Sequence, residues 1–310
     1  MTRFFAGMSF TFMLLILCAG TASAWGTVGH HVIALIAWDS MTEATRLKAV
    51  ALMQQAPPEA GLTSLFPKGD GPLAERQRDF FSIVATWPDM IRNPNPASRH
   101  AFSRPTWHTR YFFWKQEAGR VVELPNMPVP AENAVERLEF FNRVLADQNQ
   151  PASDRAIGIA WVLHLVGDVH QPLHCSARVT PEDPDGDRGG GAFPLAAPDQ
   201  NLHIYWDAMV DKAVSRQSNE TFGAYFLRVA AVIEALHPKA SLQDELKPGE
   251  FEAWARESLT AAQIYIYPPS LRRGEAPDVA YREMGATIAL KRAALSGYRL
   301  AAMLQRLLGE

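Results

Sequence analysis

The chain has 310 residues but only two cysteines, which limits how it can be stabilised. Cys18 lies in an apolar N-terminal segment and Cys175 lies in the middle of the chain. If the first segment is removed on export, an intramolecular disulfide and a closed zinc site built from several thiolates are both excluded. Cys175 is therefore predicted to be a small buried hydrophobic residue.

An excess of positive charge is also lacking. The chain has 30 lysine and arginine residues against 33 aspartate and glutamate residues, for a formal net charge of −3. Without Arg3 the count is 29 against 33, or −4. No general basic surface is available for nucleic acid or a membrane, so a polyanionic substrate would have to be attracted locally.

The N-terminus has the pattern of a secretory signal peptide. A basic residue is followed by an apolar run over 10–17 and by the small residues of 22–24. The pattern predicts cleavage of residues 1–24, a mature N-terminus at Trp25, and a periplasmic or secreted protein. A lipoprotein attached through Cys18 is disfavoured because a leucine precedes that cysteine. One domain over 25–310 is predicted, since no linker interrupts the chain.

Apolar spacing predicts a mainly α-helical fold. Residues recur at the helical period over eight segments: 29–54, 75–92, 131–147, 153–171, 199–215, 219–237, 249–266 and 277–308. Strand-like alternation is confined to 109–114 and 120–124, which could pair as one small hairpin. The predicted fold class is a single multi-helix domain with at most this β-hairpin.

The stretch HLVGDVHQPLH, which begins at His164, carries three imidazoles and a carboxylate. His164 and Asp168 are four residues apart, so a helix would place both on one face. Pro172 should end that helix and let His174 point elsewhere. His170 lies roughly 120 degrees around the helix from His164 and is not expected to be a ligand.

The stretch NLHIYWD repeats this spacing with His203 and Asp207. A single HxxxD pair arises easily by chance and often serves as an ordinary hydrogen-bonded pair. Two such pairs with His174 between them are harder to explain in that way. They indicate a site that binds more than one metal ion.

The predicted mature N-terminus would add a different kind of donor. A free α-amino group on Trp25 would have a pKa of about 8, so it could deprotonate and bind zinc together with its own carbonyl oxygen. His30 follows across two glycines that let the chain fold back. Read alone, this segment is better explained as a frayed terminus in which His30 opens a helix.

Two further candidates precede the central stretch. Asp89 in ATWPDMIR is a metal ligand or the cap of a helical turn, and His108 in PTWHTRYF is a ligand or a half-buried ring among aromatic residues. Arg92 is a clamp for a phosphate oxygen or an exposed helix charge. Nitrogen and carboxylate donors without thiolates favour hydrolytic zinc. One amino terminus, five histidines and three aspartates are too many donors for one ion and about right for three.

These motifs together resemble the secreted trinuclear-zinc, single-strand-specific nucleases, which are related to zinc-dependent phospholipase C. The resemblance rests on WGTVGH, ATWPDMIR, WH, HLVGDVHQPLH, GDRGG and NLHIYWD, which occur in the family's order across essentially the whole chain after residue 24. The resemblance implies three Zn²⁺ ions, held by Asp89, His108, His164 and Asp168, by Trp25, His30 and a bridging Asp168, and by His174, His203 and Asp207.

The resemblance also implies an exported, monomeric phosphodiesterase. It would hydrolyse single-stranded DNA and RNA to 5′-phosphate products and act as a 3′-nucleotidase, through metal-activated hydroxide attack on phosphorus. Asp89, Asp168 and Arg92 would form its catalytic set. Its substrates would be single-stranded nucleic acid and nucleotides, with no stable protein partner and no membrane attachment after signal cleavage. Aspartate at 207, where the phospholipase branch has glutamate, favours the nuclease branch.

The chain departs from the family's pattern at two places. Thr109, Arg110 and Tyr111 follow the histidine where the family often has an aromatic residue and then a polar or acidic one, and Gly191 replaces a frequent asparagine after GDRGG. These departures keep three alternatives open: a zinc phospholipase C, a zinc-binding protein without turnover, and a purely structural helical protein. Stacking platforms for bases, most of them expected to be core residues, are sought among Phe80, Phe81, Phe112 and Phe113.

Overall fold

The computed structural model describes residues 25–93 and 97–309. The predicted signal peptide at 1–24 lies outside these residues. The described part contains twelve α-helices: α1 (Thr27–Ser40), α2 (Glu43–Met53), α3 (Leu73–Val84), α4 (Trp87–Met90), α5 (Ala97–His100), α6 (Ala134–Ala146), α7 (Ala152–Asp168), α8 (Leu202–Asp207), α9 (Met209–Ala213), α10 (Phe222–Leu236), α11 (Phe251–Ala261) and α12 (Val279–Leu308). The prediction of a mainly α-helical fold is confirmed.

The sheet is one strand larger than the predicted hairpin. Strand β1 (Phe112–Glu117) pairs antiparallel with β2 (Arg120–Glu123), as predicted. A third strand, β3 (Ser176–Arg178), pairs parallel with the other edge of β1. Three residues are too few to show an alternating pattern, so β3 has no sequence signal.

Helices α1 and α7 form the centre of the molecule. Almost every residue of α1 from Gly29 to Trp38 and of α7 from Gly158 to Asp168 is buried, which explains why neither helix is clearly amphipathic. The long helix α12 packs along α1, and a Cβ at Gly297 would lie 2.6 Å from the Cβ of Ile36. This close approach fixes α1 within the core.

Local capping explains where the predicted helix ends were wrong. The segment predicted at 29–54 is two helices, because Thr42 leaves the helical backbone and its hydroxyl accepts a hydrogen bond from the Thr45 amide. The segment predicted from 199 begins at 202, because the side chain of Asn201 caps the Ile204 amide. The segment predicted at 153–171 ends at Asp168, two residues before His170.

Other predictions about single residues are borne out. Cys175 is buried and not in a disulfide. Phe80, Phe81 and Phe112 are core residues, and Phe113 is partly exposed. Among the described residues, no helix combines the length and the apolar character needed to cross a membrane.

Candidate metal centre

The last turn of α7 carries the central carboxylate of the site. His164 and Asp168 lie one turn apart on this helix, with 3.3 Å between His164 Nε2 and Asp168 Oδ2. The same oxygen lies 3.1 Å from His108 Nδ1, and Asp168 Oδ1 lies 3.4 Å from His30 Nε2. Asp168 is completely buried and therefore faces histidines from three different parts of the chain.

The first group that could hold a metal ion consists of His30, His164 and Asp168. The rings of His30 and His164 stack with their centroids 3.9 Å apart. Gly167 makes this packing possible, since a Cβ there would lie 2.9 Å from the His30 ring. Helix α1 is thereby held against the last turn of α7.

The second group consists of Asp89, His108 and His164. Asp89 Oδ1 lies 4.0 Å from His108 Nδ1 and 3.8 Å from His164 Nε2, and these two nitrogens lie 3.0 Å apart. Asp89 lies on the short helix α4, and His108 ends a 3₁₀ turn at Pro105–His108. The first two groups share His164 and adjoin at Asp168, so they form one connected cluster.

The third group consists of His174, His203 and Asp207. His174 Nε2 lies 3.7 Å from Asp207 Oδ1, and His203 Nε2 lies 3.6 Å from Asp207 Oδ2. His174 belongs to the 3₁₀ turn Pro172–Cys175, so the proline does redirect the chain as predicted. Helix α8 supplies the other two side chains one turn apart.

Backbone carbonyls fix the tautomers of three of these histidines. The Nδ1 atoms of His164, His174 and His203 lie 2.7 to 2.8 Å from the carbonyl oxygens of Ala85, His108 and Gly189, respectively. A carbonyl can only accept a hydrogen bond, so each Nδ1 carries the proton. Each Nε2 lone pair is left to face its group, which is the orientation a metal ligand requires. Sequence analysis had no signal for these carbonyl partners.

Gln171 is a further residue that sequence analysis did not single out. It is buried, and its Nε2 donates a 2.7 Å hydrogen bond to Asp207 Oδ1. Its Oε1 accepts a hydrogen bond from the Leu173 amide, which holds the turn leading to His174. Gln171 thus orients one carboxylate of the third group and supports one of its histidines.

Side chains from α11 and α12 satisfy the carbonyls at the end of α7. The Ser296 and Ser258 hydroxyls donate to the carbonyls of Val166 and Val169, and Arg292 Nε donates to the carbonyl of His170. These carbonyls are buried and have no helical partner, so the cap compensates the unpaired end of the helix. It also sets the path of the chain between the first two groups and the third.

His170 faces this cap and not the metal groups. Its Nδ1 donates to the Val166 carbonyl at 2.7 Å, and its Nε2 accepts from Arg299 at 2.8 Å. Burial and the charges of Arg292 and Arg299 lower the pKa of His170 well below its usual value. The ring is therefore neutral and has both nitrogens occupied.

Burial determines the charge state of the cluster. It lowers the pKa of His30, His108 and His164 well below the usual histidine value, and the neighbouring imidazoles lower the pKa of His30 and His108 further. Burial raises the pKa of Asp168 well above its usual value, and the charge of Asp89 adds to this effect. Neutral imidazoles around a buried carboxylate are suited to binding a cation.

The distances agree with the requirements of zinc. Ligand atoms about 2.0 to 2.1 Å from a tetrahedral ion are roughly 3.3 Å from one another. Separations of 3.1 to 3.4 Å around Asp168 and of 3.6 to 3.7 Å around Asp207 are close to this spacing. Among the described residues, several buried polar atoms form no hydrogen bond: His30 Nε2, Asp168 Oδ1, His174 Nε2 and Asp207 Oδ2. Such atoms are costly to bury unless an ion binds them.

The remaining predicted residues lie beside these groups. Trp25 is completely buried, and the next amide, that of Gly26, donates a 2.7 Å hydrogen bond to the carbonyl of Asp207. The first residue after the predicted cleavage point is thus anchored next to the third group and five residues before His30. Arg92 Nε lies 3.3 Å from Asp89 Oδ1, at the edge of the second group.

Comparison with known proteins agrees with this geometry. The sequence model of the S1/P1 nuclease family matches residues 25–309. Endonuclease 2 of Arabidopsis thaliana is 24% identical over 307 residues, which cover 95% of this chain and 94% of that protein. Nuclease S1 of Aspergillus oryzae is 22% identical over 237 residues, which cover 74% of this chain and 65% of that protein. The chain belongs to the S1/P1 nuclease family.

Proposed function

We propose that this chain is an exported zinc-dependent nuclease that hydrolyses single-stranded DNA and RNA and removes 3′-phosphates from nucleotides. The observation that carries the proposal is the arrangement around Asp168. Two groups that could hold a metal ion meet at this carboxylate, and a third lies beyond the turn that follows it. Several ions close together are typical of sites that cleave phosphate esters.

Zinc would be held by the donors already described. Asp89, His108, His164 and Asp168 would hold one ion, and His174, His203 and Asp207 would hold another. His30 and Asp168 would hold the remaining ion together with the amino group and carbonyl oxygen of Trp25, which requires removal of residues 1–24. Bound zinc would supply a Lewis acid for the phosphate oxygens and would lower the pKa of water.

The protein's own residues would perform three tasks. Three aspartates and five imidazoles that need not carry charge keep the negative charge of the site low, so a phosphodiester can enter the loaded site of an acidic protein. Asp89, Asp168 and the backbone carbonyls would hold the ligands in position. Arg92, beside Asp89, would bind a non-bridging phosphate oxygen.

The depth of the donors supports a preference for single strands. Asp168, His164 and His30 are all completely buried, so a scissile phosphate has to move in from the surface. A duplex holds its phosphates on a stiff rod, whereas a single strand can bend and present one phosphate. The products would carry 5′-phosphates, and the enzyme would act as a secreted or periplasmic monomer.

The test uses the protein exported through its own N-terminal segment. We expect a single-stranded oligonucleotide to be cut to 5′-phosphate ends and a duplex to be cut much more slowly. A chelator should abolish cleavage and zinc should restore it. His203→Ala should remove most of the activity, whereas the control His237→Ala, on a partly exposed histidine outside the three groups, should not.

Other outcomes would support the alternatives. Hydrolysis of phosphatidylcholine vesicles without cleavage of DNA would identify a phospholipase C. Three bound zinc ions without turnover of DNA, RNA or nucleotides would identify a zinc-binding protein. A fold that neither binds zinc nor changes on chelation would identify a structural protein and overturn the proposal.

A further inference from the structure

An arginine beside the third group has no structural role in the described part of the chain. The side chain of Arg188 is exposed and forms no hydrogen bond, ion pair or ring contact with any described residue. Its backbone has a φ of +54°, in the left-handed region. A non-glycine residue in this region costs about 1–2 kcal/mol, and no packing of Arg188 offsets that cost. Strain of this kind often marks a functional site.

The turn that carries Arg188 is rigid. The Gly191 amide donates to the carbonyl of Arg188, and the Ala192 amide donates to the carbonyl of Asp187. The buried carboxylate of Asp187 accepts hydrogen bonds from the Tyr267 hydroxyl and the Arg178 amide. The position of Arg188 is therefore fixed by the fold, although its side chain is exposed.

The same turn is part of the support of the metal groups. The carbonyl of the next residue, Gly189, accepts the hydrogen bond from His203 Nδ1. A Cβ at Gly189 would lie 2.2 Å from the carbonyl oxygen of Leu173, so the turn packs directly on the segment that leads to His174. Arg188 is thus one residue away from the carbonyl that orients a ligand of the third group.

The phenol of Tyr111 connects Arg188 with the same group. Burial raises the pKa of Tyr111, the charges of Asp187 and Asp207 raise it further, and the charge of Arg188 lowers it. The phenol therefore lies within electrostatic range of both Arg188 and Asp207. Tyr111 is only partly exposed, and it follows the histidine of the second group at a position where the chain departs from its family.

Neighbouring arginines on this side of the molecule have counter-charges. Arg273 pairs with Asp183 at 2.6 Å, and Arg110 lies 3.6 Å from Glu252. Gly191 leaves space beside Arg188, since a Cβ there would lie 3.2 Å from its carbonyl oxygen and 3.8 Å from its Cβ. Arg188 is therefore a cation with no partner, on a fixed support, next to a site for phosphate esters.

We propose that Arg188 binds a phosphate of the nucleic acid strand next to the phosphodiester that is cleaved. This inference rests on the proposed function, because it assigns a substrate contact to the same site. It makes Arg188 a specificity-determining residue for chains with several phosphates. A guanidinium binds a phosphate through charge-assisted hydrogen bonds, which are among the stronger polar contacts.

The test compares Arg188→Gln with Arg272→Gln in the zinc-loaded protein. Arg272 is also exposed and has no ion pair within the described residues, so it is the matched control. For Arg188→Gln we expect the ratio of kcat/KM for an oligonucleotide to that for a dinucleotide to fall about tenfold. Binding of a phosphorothioate oligonucleotide, followed by fluorescence anisotropy, should weaken by a similar factor. The slope of its log Kd against log salt should fall by about 0.7.

A second variant separates substrate binding from folding. Arg188→Gly removes the side chain and relieves the left-handed backbone, so the melting temperature should rise by about 2 °C while oligonucleotide binding weakens. A lower melting temperature with equal losses on both substrates would show that Arg188 supports the turn, and would overturn the inference. Equal behaviour of Arg188→Gln and Arg272→Gln would also overturn it. If the unaltered protein cuts no nucleic acid, the proposed function itself has failed.

Discussion

Replacing Asp168 by asparagine should change the stability of the protein in opposite directions with and without zinc. The carboxylate is completely buried, and its neighbours are histidines whose pKa burial lowers. Without a metal ion, nothing with a full positive charge touches it. Asparagine has the same shape and no charge, and it can still hydrogen-bond to a histidine nitrogen.

The size of each effect follows from these surroundings. Burying a carboxylate costs several kcal/mol even after relaxation, so Asp168→Asn should stabilise the metal-free protein by about 1–3 kcal/mol. With zinc at about a thousand times its Kd, each bound ion stabilises the fold by about 4 kcal/mol. Since Asp168 adjoins two groups, the variant should then be less stable than the unaltered protein by about 4–8 kcal/mol.

Chemical denaturation in excess chelator and in excess zinc measures both effects. Asp187→Asn is the control, because Asp187 is equally an aspartate of the interior but lies outside the three groups and bonds to Tyr267. It should destabilise the protein by a similar amount in both conditions. If Asp168→Asn also destabilises equally in both conditions, Asp168 is a structural residue and the reasoning about the metal groups is refuted.

Three further predictions concern the support of the site. Ser258→Ala removes a buried hydroxyl that caps α7 and should cost about 1–3 kcal/mol in a urea titration, whereas Thr260→Ala on the exposed side of the same helix should cost under about 0.5 kcal/mol. Burial would raise the pKa of Glu257, but two buried arginines outweigh it and hold the pKa below its usual value. Its carboxylate therefore stabilises the fold above the usual glutamate pKa and loses this effect as the pH falls. Glu257→Gln should lower the melting temperature clearly at pH 7 and much less at pH 3, and equal losses would contradict this. Gly297→Ala should overpack the contact between α12 and α1 and cost about 1–3 kcal/mol, while Gly223→Ala, with open space around its Cβ position, should cost nothing.

The helical period predicted part of the site correctly. It placed His164 with Asp168 and His203 with Asp207, and each pair does lie one turn apart on α7 and α8. The proline prediction for His174 also held, because a proline in the next turn cannot continue the helix. These relations are local, so a sequence pattern can contain them.

The relations between distant segments could not be read from the pattern. Nothing in the sequence shows that His30 stacks on His164, since this contact depends on the burial of α1 between α7 and α12. The resemblance to a family supplied that grouping. The helix ends at Thr42 and Asn201 were wrong because side-chain caps override apolar spacing.

The carbonyls that orient the histidines form a third class of relation. Any residue type can supply a carbonyl, so Ala85 and Gly189 have no side-chain signal at all. Gln171 does have one, as a buried amide between two metal groups, but a single glutamine is not distinctive. Such contacts have to be taken from the folded structure.

Native mass spectrometry of the exported protein tests the central claim most directly, because it gives the start of the chain and the number of bound ions together. The account predicts a chain that begins at Trp25 and carries three zinc ions, all released by a chelator. A chain that begins at another residue, or one that begins at Trp25 and binds fewer than three ions in excess zinc, would contradict it.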